Sequence, residues 1–140
     1  MIDPLVRRAR PADSVELAEL EGVARAALVD QRGGVRWLEE NPARVTDWAN
    51  ATVFVAVLDE LVVGYLELDP TPPVARVAQV YVRPETRELG FGDELLATAI
   101  DHARAAGADR IEGEALPGDR TIKNLYERAG ITARLIVVSA

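Results

Sequence analysis

The stretch Val80-Tyr81-Val82-Arg83-Pro84-Glu85-Thr86-Arg87-Glu88-Leu89-Gly90-Phe91-Gly92-Asp93-Glu94-Leu95-Leu96 changes period partway along. Val74–Val82 reads as a strand, stopped by Pro84, which has no backbone N–H to give a ladder. From about Gly90 to Ala106 the period becomes helical, with Leu95, Leu96, Ala99, Ile100 and Ala103 on one side and Gly107 as the expected C-cap. Two glycines one residue apart therefore sit where a strand turns into a helix. Glycine lets the backbone approach a ligand and aim successive amides at one place, and the helix N-terminus adds partial positive charge. Together these make an anion site, for which a pyrophosphate is the usual occupant. Arg87 would add a forked set of donors. A plain strand-to-helix turn with glycine for conformation alone competes with this for the segment in isolation. Two nucleotide-binding motifs are excluded. Leu95 stands where a dinucleotide fingerprint needs its third glycine, and the only lysine, Lys123, is far from any glycine-rich turn.

Working outward, Leu5–Arg10 reads as a strand ending at Pro11. Asp13-Ser14-Val15-Glu16 predicts a capping box opening a helix from about 14 to 29, with Leu17, Leu20, Ala24, Ala27 and Leu28 at helical spacing. Gln31–Gly34 breaks it. Val35–Glu40 predicts a short helix, and Asn41-Pro42 a further one ending near Asn50. Thr52–Leu58 and Leu61–Asp69 are Val- and Leu-rich and separated only by Asp59-Glu60, which predicts a hairpin. Three prolines make Asp69–Pro73 a loop. Beyond Gly107 come a strand (Asp109–Ala115), a Pro117-Gly118-Asp119 turn, a helix (Arg120–Ala129) closed by Gly130, and a strand (Ile131–Val138). The order β-α-α-β-β-β-α-β-α-β implies a mixed α/β (α+β) sheet, antiparallel first, with one parallel crossover through the 90–106 helix.

The 140 residues suit one domain, 1–140, with 49% hydrophobic and 28% charged residues, as in ordinary globular proteins. There is no cysteine, which removes thiol catalysis and disulfides. The longest aliphatic or aromatic run, Val53–Leu58, is far short of the ~20 residues a membrane helix needs. The acidic, proline-bearing start Met1-Ile2-Asp3-Pro4 is unlike a signal peptide. A cytoplasmic protein without membrane association is expected. A net charge of −7 with no basic run argues against nucleic-acid binding.

Arg87-Glu88-Leu89-Gly90-Phe91-Gly92, between its strand and its Leu-Leu helix, resembles the acyl-coenzyme A loop of the GNAT acetyltransferase superfamily, Gln/Arg-x-x-Gly-x-Gly/Ala. Asn124-Leu125-Tyr126-Glu127-Arg128-Ala129-Gly130 is similar to the family's penultimate helix, in the expected order, and the order of elements along the chain agrees. The resemblance implies a central, mostly antiparallel sheet splayed between strands 4 and 5, with helices on both faces and a bulge in strand 74–82. It implies acetyl-coenzyme A as acyl donor, no metal, and a primary amine of a small molecule or peptide as acceptor, acylated by direct attack. Val80-Tyr81-Val82 would hold the pantetheine arm along a strand edge. Amides from Glu88 through Leu89, Gly90 and Phe91 to Gly92 would cradle the pyrophosphate beside Arg87. Asn124 would reach the pantetheine side, and Tyr126 would protonate the leaving thiolate. A core tyrosine with a satisfied hydroxyl is the structural alternative for Tyr126.

A general base is less marked. Glu112 and Glu114 share one face of their strand, and Tyr65, Glu67 and Asp69 one face of theirs. Glu67 and Glu114 are the candidates, against a solvated polar face as the alternative; Gln79 cannot titrate. His102, a lone mid-helix histidine, reads as structural or surface, while Trp37 and Trp48 read equally as core or as walls of an acceptor pocket. Departures from the family pattern are Glu88 and Leu89 in the loop, and Asp119 and Ile122 where Asn and Ala are commoner. Ten residues follow Gly130, room for one strand rather than the family's terminal hairpin, which leaves a strand edge for a homodimer. A catalytically silent acyl-coenzyme A sensor is the rival function.

Overall fold

The computed structural model describes residues 5–43 and 48–139, without the side chain of Ala49. Its frame is a five-stranded sheet in the order β1 (Leu5–Arg8), β2 (Thr52–Leu58), β3 (Leu61–Asp69), β4 (Val74–Val82), β5 (Arg110–Gly113). β1 to β4 pair antiparallel and β4 with β5 parallel. The two-residue β2–β3 loop places both Asp59 and Glu60 at positive φ, 49° and 67°, the conformation that matches the twist of a tight hairpin.

Alternation along the strands divides the core. Phe54 and Ala56 of β2 and Leu66 and Leu68 of β3 face α3 (Phe91–Ala105), where they pack with Phe91, Leu95, Leu96 and Ala99. Val53, Val55 and Tyr65 face α1 (Ser14–Leu28) and meet Leu17, Leu20 and Trp48. The shorter helices are α2 (Gly34–Glu40) and α4 (Arg120–Arg128), the latter placing Leu125 and Tyr126 in the α3-side core. Helices thus cover both faces. Among the described residues no helix is long and apolar enough to cross a membrane.

Some local expectations fail. Asp13 makes no side-chain bond into α1; its carboxylate instead accepts from Arg10 N at 2.7 Å and from both terminal nitrogens of Arg7 at 2.8 and 3.0 Å. A guanidinium outcompetes a helix amide for the same oxygens. Glu16, the other half of the expected box, accepts from Val62 N at 3.0 Å. Of the helix expected over 42–50, Pro42 and Ala43 are not helical, residues 44–47 lie outside the described residues, and Trp48–Asn50 form a single 3-10 turn. Pro84–Leu89 is a 3-10 turn leading into α3. Ile131–Val138 forms no strand: it has no partner in the sheet, and Leu135, Ile136, Val137 and Val138 are exposed.

Candidate active site

The sheet opens where β4 and β5 part. β5 pairs only with the first half of β4, from Val74–Arg110 to Val77–Gly113. Immediately beyond, the β3–β4 register skips Ala78, since Glu67 opposes Gln79 and Leu68 opposes Val77. Ala78 is thus the expected bulge of the 74–82 strand. A bulge bends its strand and raises the local twist, so residues 78–82 leave β5 behind and their β5-side main chain has no strand partner. The opening is a cavity of about 420 Å³ lined from both faces of the sheet. Ala24, Arg25 and Leu28 of α1 line one side, Gly92, Leu125 and Tyr126 of α3 and α4 the other, and Val80, Tyr81 and Val82 run along it.

At the start of α3 the chain turns into the helix on a glycine. Gly90 sits at φ 87°, which only glycine adopts freely, and ends the 3-10 turn so that α3 starts at Phe91. The first helical bond into this end is Glu94 N to Gly90 O at 3.1 Å; the amides of Phe91, Gly92 and Asp93 precede any i−4 carbonyl of the helix. Arg87, Arg120 and Arg128 line the same cavity. Arg87 also braces the loop, donating from Nε to Val82 O at 2.9 Å with its guanidinium 5.6 Å from the Tyr81 ring centre. Arg128 pairs with Asp93 at 2.9 Å, and Asp119 Oδ1 caps α4 by accepting from Ile122 N at 3.1 Å. Glu88, Leu89 and Asn124 are exposed and lie outside the cavity lining.

The chemistry-bearing groups are split between the two sides. Tyr126, 8% exposed, lies on the α4 side, and burial first, then the nearby Glu114 carboxylate, push its hydroxyl well above the ordinary phenol value. Glu114 is exposed just past the end of β5 and lines the cavity. On the α1 side Tyr65 Oη donates to Gln79 Oε1 at 2.8 Å, and Gln79 Nε2 donates to Glu21 Oε2 at 2.9 Å and to Glu67 Oε1 at 3.0 Å. Glu21 and Glu67 are almost fully buried, and burial followed by these two charges drives the Tyr65 phenol far up. Tyr65 and Gln79 form the cavity wall; Glu67 lies one side chain behind it. The remaining candidates divide. Glu112 sits between Arg76 and Arg110 at 3.4 and 3.3 Å, and Asp69 is occupied by Thr71. His102 packs edge-on to Phe54. Trp48 is core, edge-on to Tyr65, whereas Trp37 lines the cavity beneath the Arg25 guanidinium.

Sequence reasoning missed Glu21 and undervalued Gln79. The available signal was a carboxylate on the buried stripe of α1, four residues after Leu17 and three before Ala24. A charge at such a position must find a buried partner, and Gln79 is one.

A sequence model of the acetyltransferase (GNAT) family matches residues 19–131. No curated protein matches the chain in sequence. Solved structures match throughout. A ribosomal-protein-alanine N-acetyltransferase from Brucella melitensis biovar Abortus 2308 is 21% identical, with TM-score 0.72 over 99% of this chain and 96% of that one. The aminoglycoside N-acetyltransferase AAC(6')-Iy, in complex with a bisubstrate analogue of coenzyme A and acetylneamine, is 16% identical, with TM-score 0.69 over 99% of both chains. An aminoglycoside acetyltransferase from an uncultured soil metagenomic sample is 19% identical, with TM-score 0.72 over 98% of this chain and 93% of that one. At these identities the structural likeness speaks for the fold.

Proposed function

Because the chain belongs to the acetyltransferase (GNAT) family, we propose that it transfers an acetyl group from acetyl-coenzyme A to a primary amine of a small molecule or peptide. The observation that carries this reading is the cavity through the splayed sheet, with the first turn of α3, several arginines and a buried phenol in its lining. The residues present fit the carrier. The first-turn amides of α3, with Arg120, Arg128 and the free part of Arg87, suit a pyrophosphate, and the unpaired edge of Val80-Tyr81-Val82 suits the amide-bearing pantetheine arm.

Acetyl-coenzyme A supplies a thioester carbonyl: as the amine nitrogen forms the new C–N bond, the C–S bond breaks and its electron pair leaves on sulfur. Tyr126 holds its proton throughout the neutral range and gives it to that sulfur. The proton lost by the amine leaves on the opposite side, where Gln79 and Tyr65 carry the charge of Glu67 and Glu21 to the cavity wall. Glu67 is the base in this reading, reached from the amine through water, while Gln79 holds its carboxylate in place. Burial first and Glu114 second keep Tyr126 protonated, and its proton is restored from solvent beside the exposed Glu114 after transfer. The same carboxylates favour an acceptor that arrives as an ammonium ion.

The test is release of free thiol from acetyl-coenzyme A with a panel of small amines and amino-terminal peptides. Wild-type turnover with at least one amine is expected, falling about 10²-fold or more in Tyr126→Phe. Glu67→Gln should lower turnover about 10²-fold at neutral pH, with the loss shrinking at alkaline pH where the amine arrives already deprotonated. Stabilisation by acetyl-coenzyme A with no thiol release from any amine would instead favour the silent sensor.

A further inference from the structure

Gly113 is the last β5 residue paired with β4, opposite Val77, so it sits at the apex from which the strands diverge. Its φ lies outside the left-handed region, so its conformation does not call for glycine, and inside a strand glycine costs backbone entropy and contributes no packing. Space is what calls for it. A Cβ built on Gly113 would overlap Oη and Cζ of Tyr126 and approach Cε1 to 2.9 Å. The phenol therefore occupies the volume that any other residue at 113 would fill. Neighbouring glycines of the site do not share this property: a Cβ on Gly92 comes no nearer than 3.4 Å to the Leu125 side chain.

We propose that Gly113 is a positioning residue for the transfer reaction: by carrying no side chain at the last β4–β5 pair, it admits the Tyr126 hydroxyl to the apex of the splay and holds it there. This rests on the function proposed above. A helix delivers the ring, and the bare strand fixes how deep it sits. Because β4 and β5 diverge beyond the Val77–Gly113 pair, a phenol displaced from Gly113 moves away from the reacting end and toward solvent. The proton donor then loses both its reach and the burial that keeps it protonated.

Gly113→Ala tests this through three readouts. Its kcat should fall at least tenfold while KM for acetyl-coenzyme A changes less than threefold, and the loss should vanish in a Tyr126→Phe background. In ultraviolet titration one more tyrosine than in wild type should ionise near the ordinary phenol value of about 10, and Tyr126→Phe should remove it. The melting midpoint should drop in the Tyr126 background and not in Tyr126→Ala. That last pair keeps the test decisive if the single variant folds poorly, since Gly113→Ala/Tyr126→Ala should then recover folding. A wild-type kcat and unchanged phenol count in Gly113→Ala would overturn the proposal. So would an activity loss that persists undiminished in Tyr126→Phe, or a folding defect that Tyr126→Ala leaves uncorrected. The phenol count reads Gly113 even if no amine is acetylated, so failure of this inference and failure of the proposed activity remain distinct.

Discussion

Asp13 ties the first strand to the first helix. Its carboxylate takes both terminal nitrogens of Arg7 and the Arg10 amide while nearly buried. The Arg7 hydrogen bond foremost holds its pKa below the ordinary carboxylate range, against the opposing effect of burial. A group whose folded pKa is depressed stabilises fully above its unfolded value, about 3.9, and loses that contribution as pH falls through the folded value. Asp13→Asn should therefore cost about 1.5–3 kcal/mol at neutral pH, in line with hydrogen bonds to a charged group. In urea melts the gap from wild type should close as pH is lowered below the carboxylate range; a gap independent of pH would contradict the assignment. The sequence does not disclose this pairing, because Asp13-Ser14-Val15-Glu16 satisfies a helix cap equally well and only the fold brings Arg7 alongside. Tyr126 is singled out in the sequence by its motif alone, whereas Gln79 acquires meaning only once Glu21, 58 residues away in sequence, is packed against it.

Elements with strong patterns and hard stops were readable nearly to the residue. β2, β3 and β4 span the ranges their Val-rich runs suggest, because proline or a two-residue turn bounds each. β5 is shorter than the 109–115 run, since β4 swings away after Val77 and a strand lasts only as long as its partner. The same reason leaves 131–138 without strand structure despite β-branched composition: β propensity needs a neighbouring strand. The loop into α3 separates its two glycines by role. Gly90→Ala forces a side chain into φ 87° and should cost about 1–2 kcal/mol. Gly92→Ala meets ordinary contact distances and gains helix propensity of up to about 1 kcal/mol, so its melting midpoint should hold or rise. If the proposed carrier site is right, Gly92→Ala should nonetheless weaken stabilisation by coenzyme A, because the methyl adds bulk to a residue of the cavity lining. Equal destabilisation by both variants would show that neither glycine has the role assigned.

Across the whole molecule, a net charge of −7 coexists with Arg25, Arg87, Arg120 and Arg128 in the cavity lining, so the overall sign says little about the site. The element order foretold the mixed sheet and its single parallel crossover, but the passage from one face to the other depends on the Ala78 bulge, which no composition marks. On that passage rests the proposed transfer, in which Tyr126 on one side and the Glu21 and Glu67 carboxylates on the other would flank the thioester. Amide hydrogen exchange with and without coenzyme A tests the passage most directly. The expected result is protection confined to 79–82 of β4 and to 88–93 at the start of α3, with β1 and β2 unchanged. Coenzyme A that binds and leaves both segments unprotected, or protects a different surface, would contradict the account.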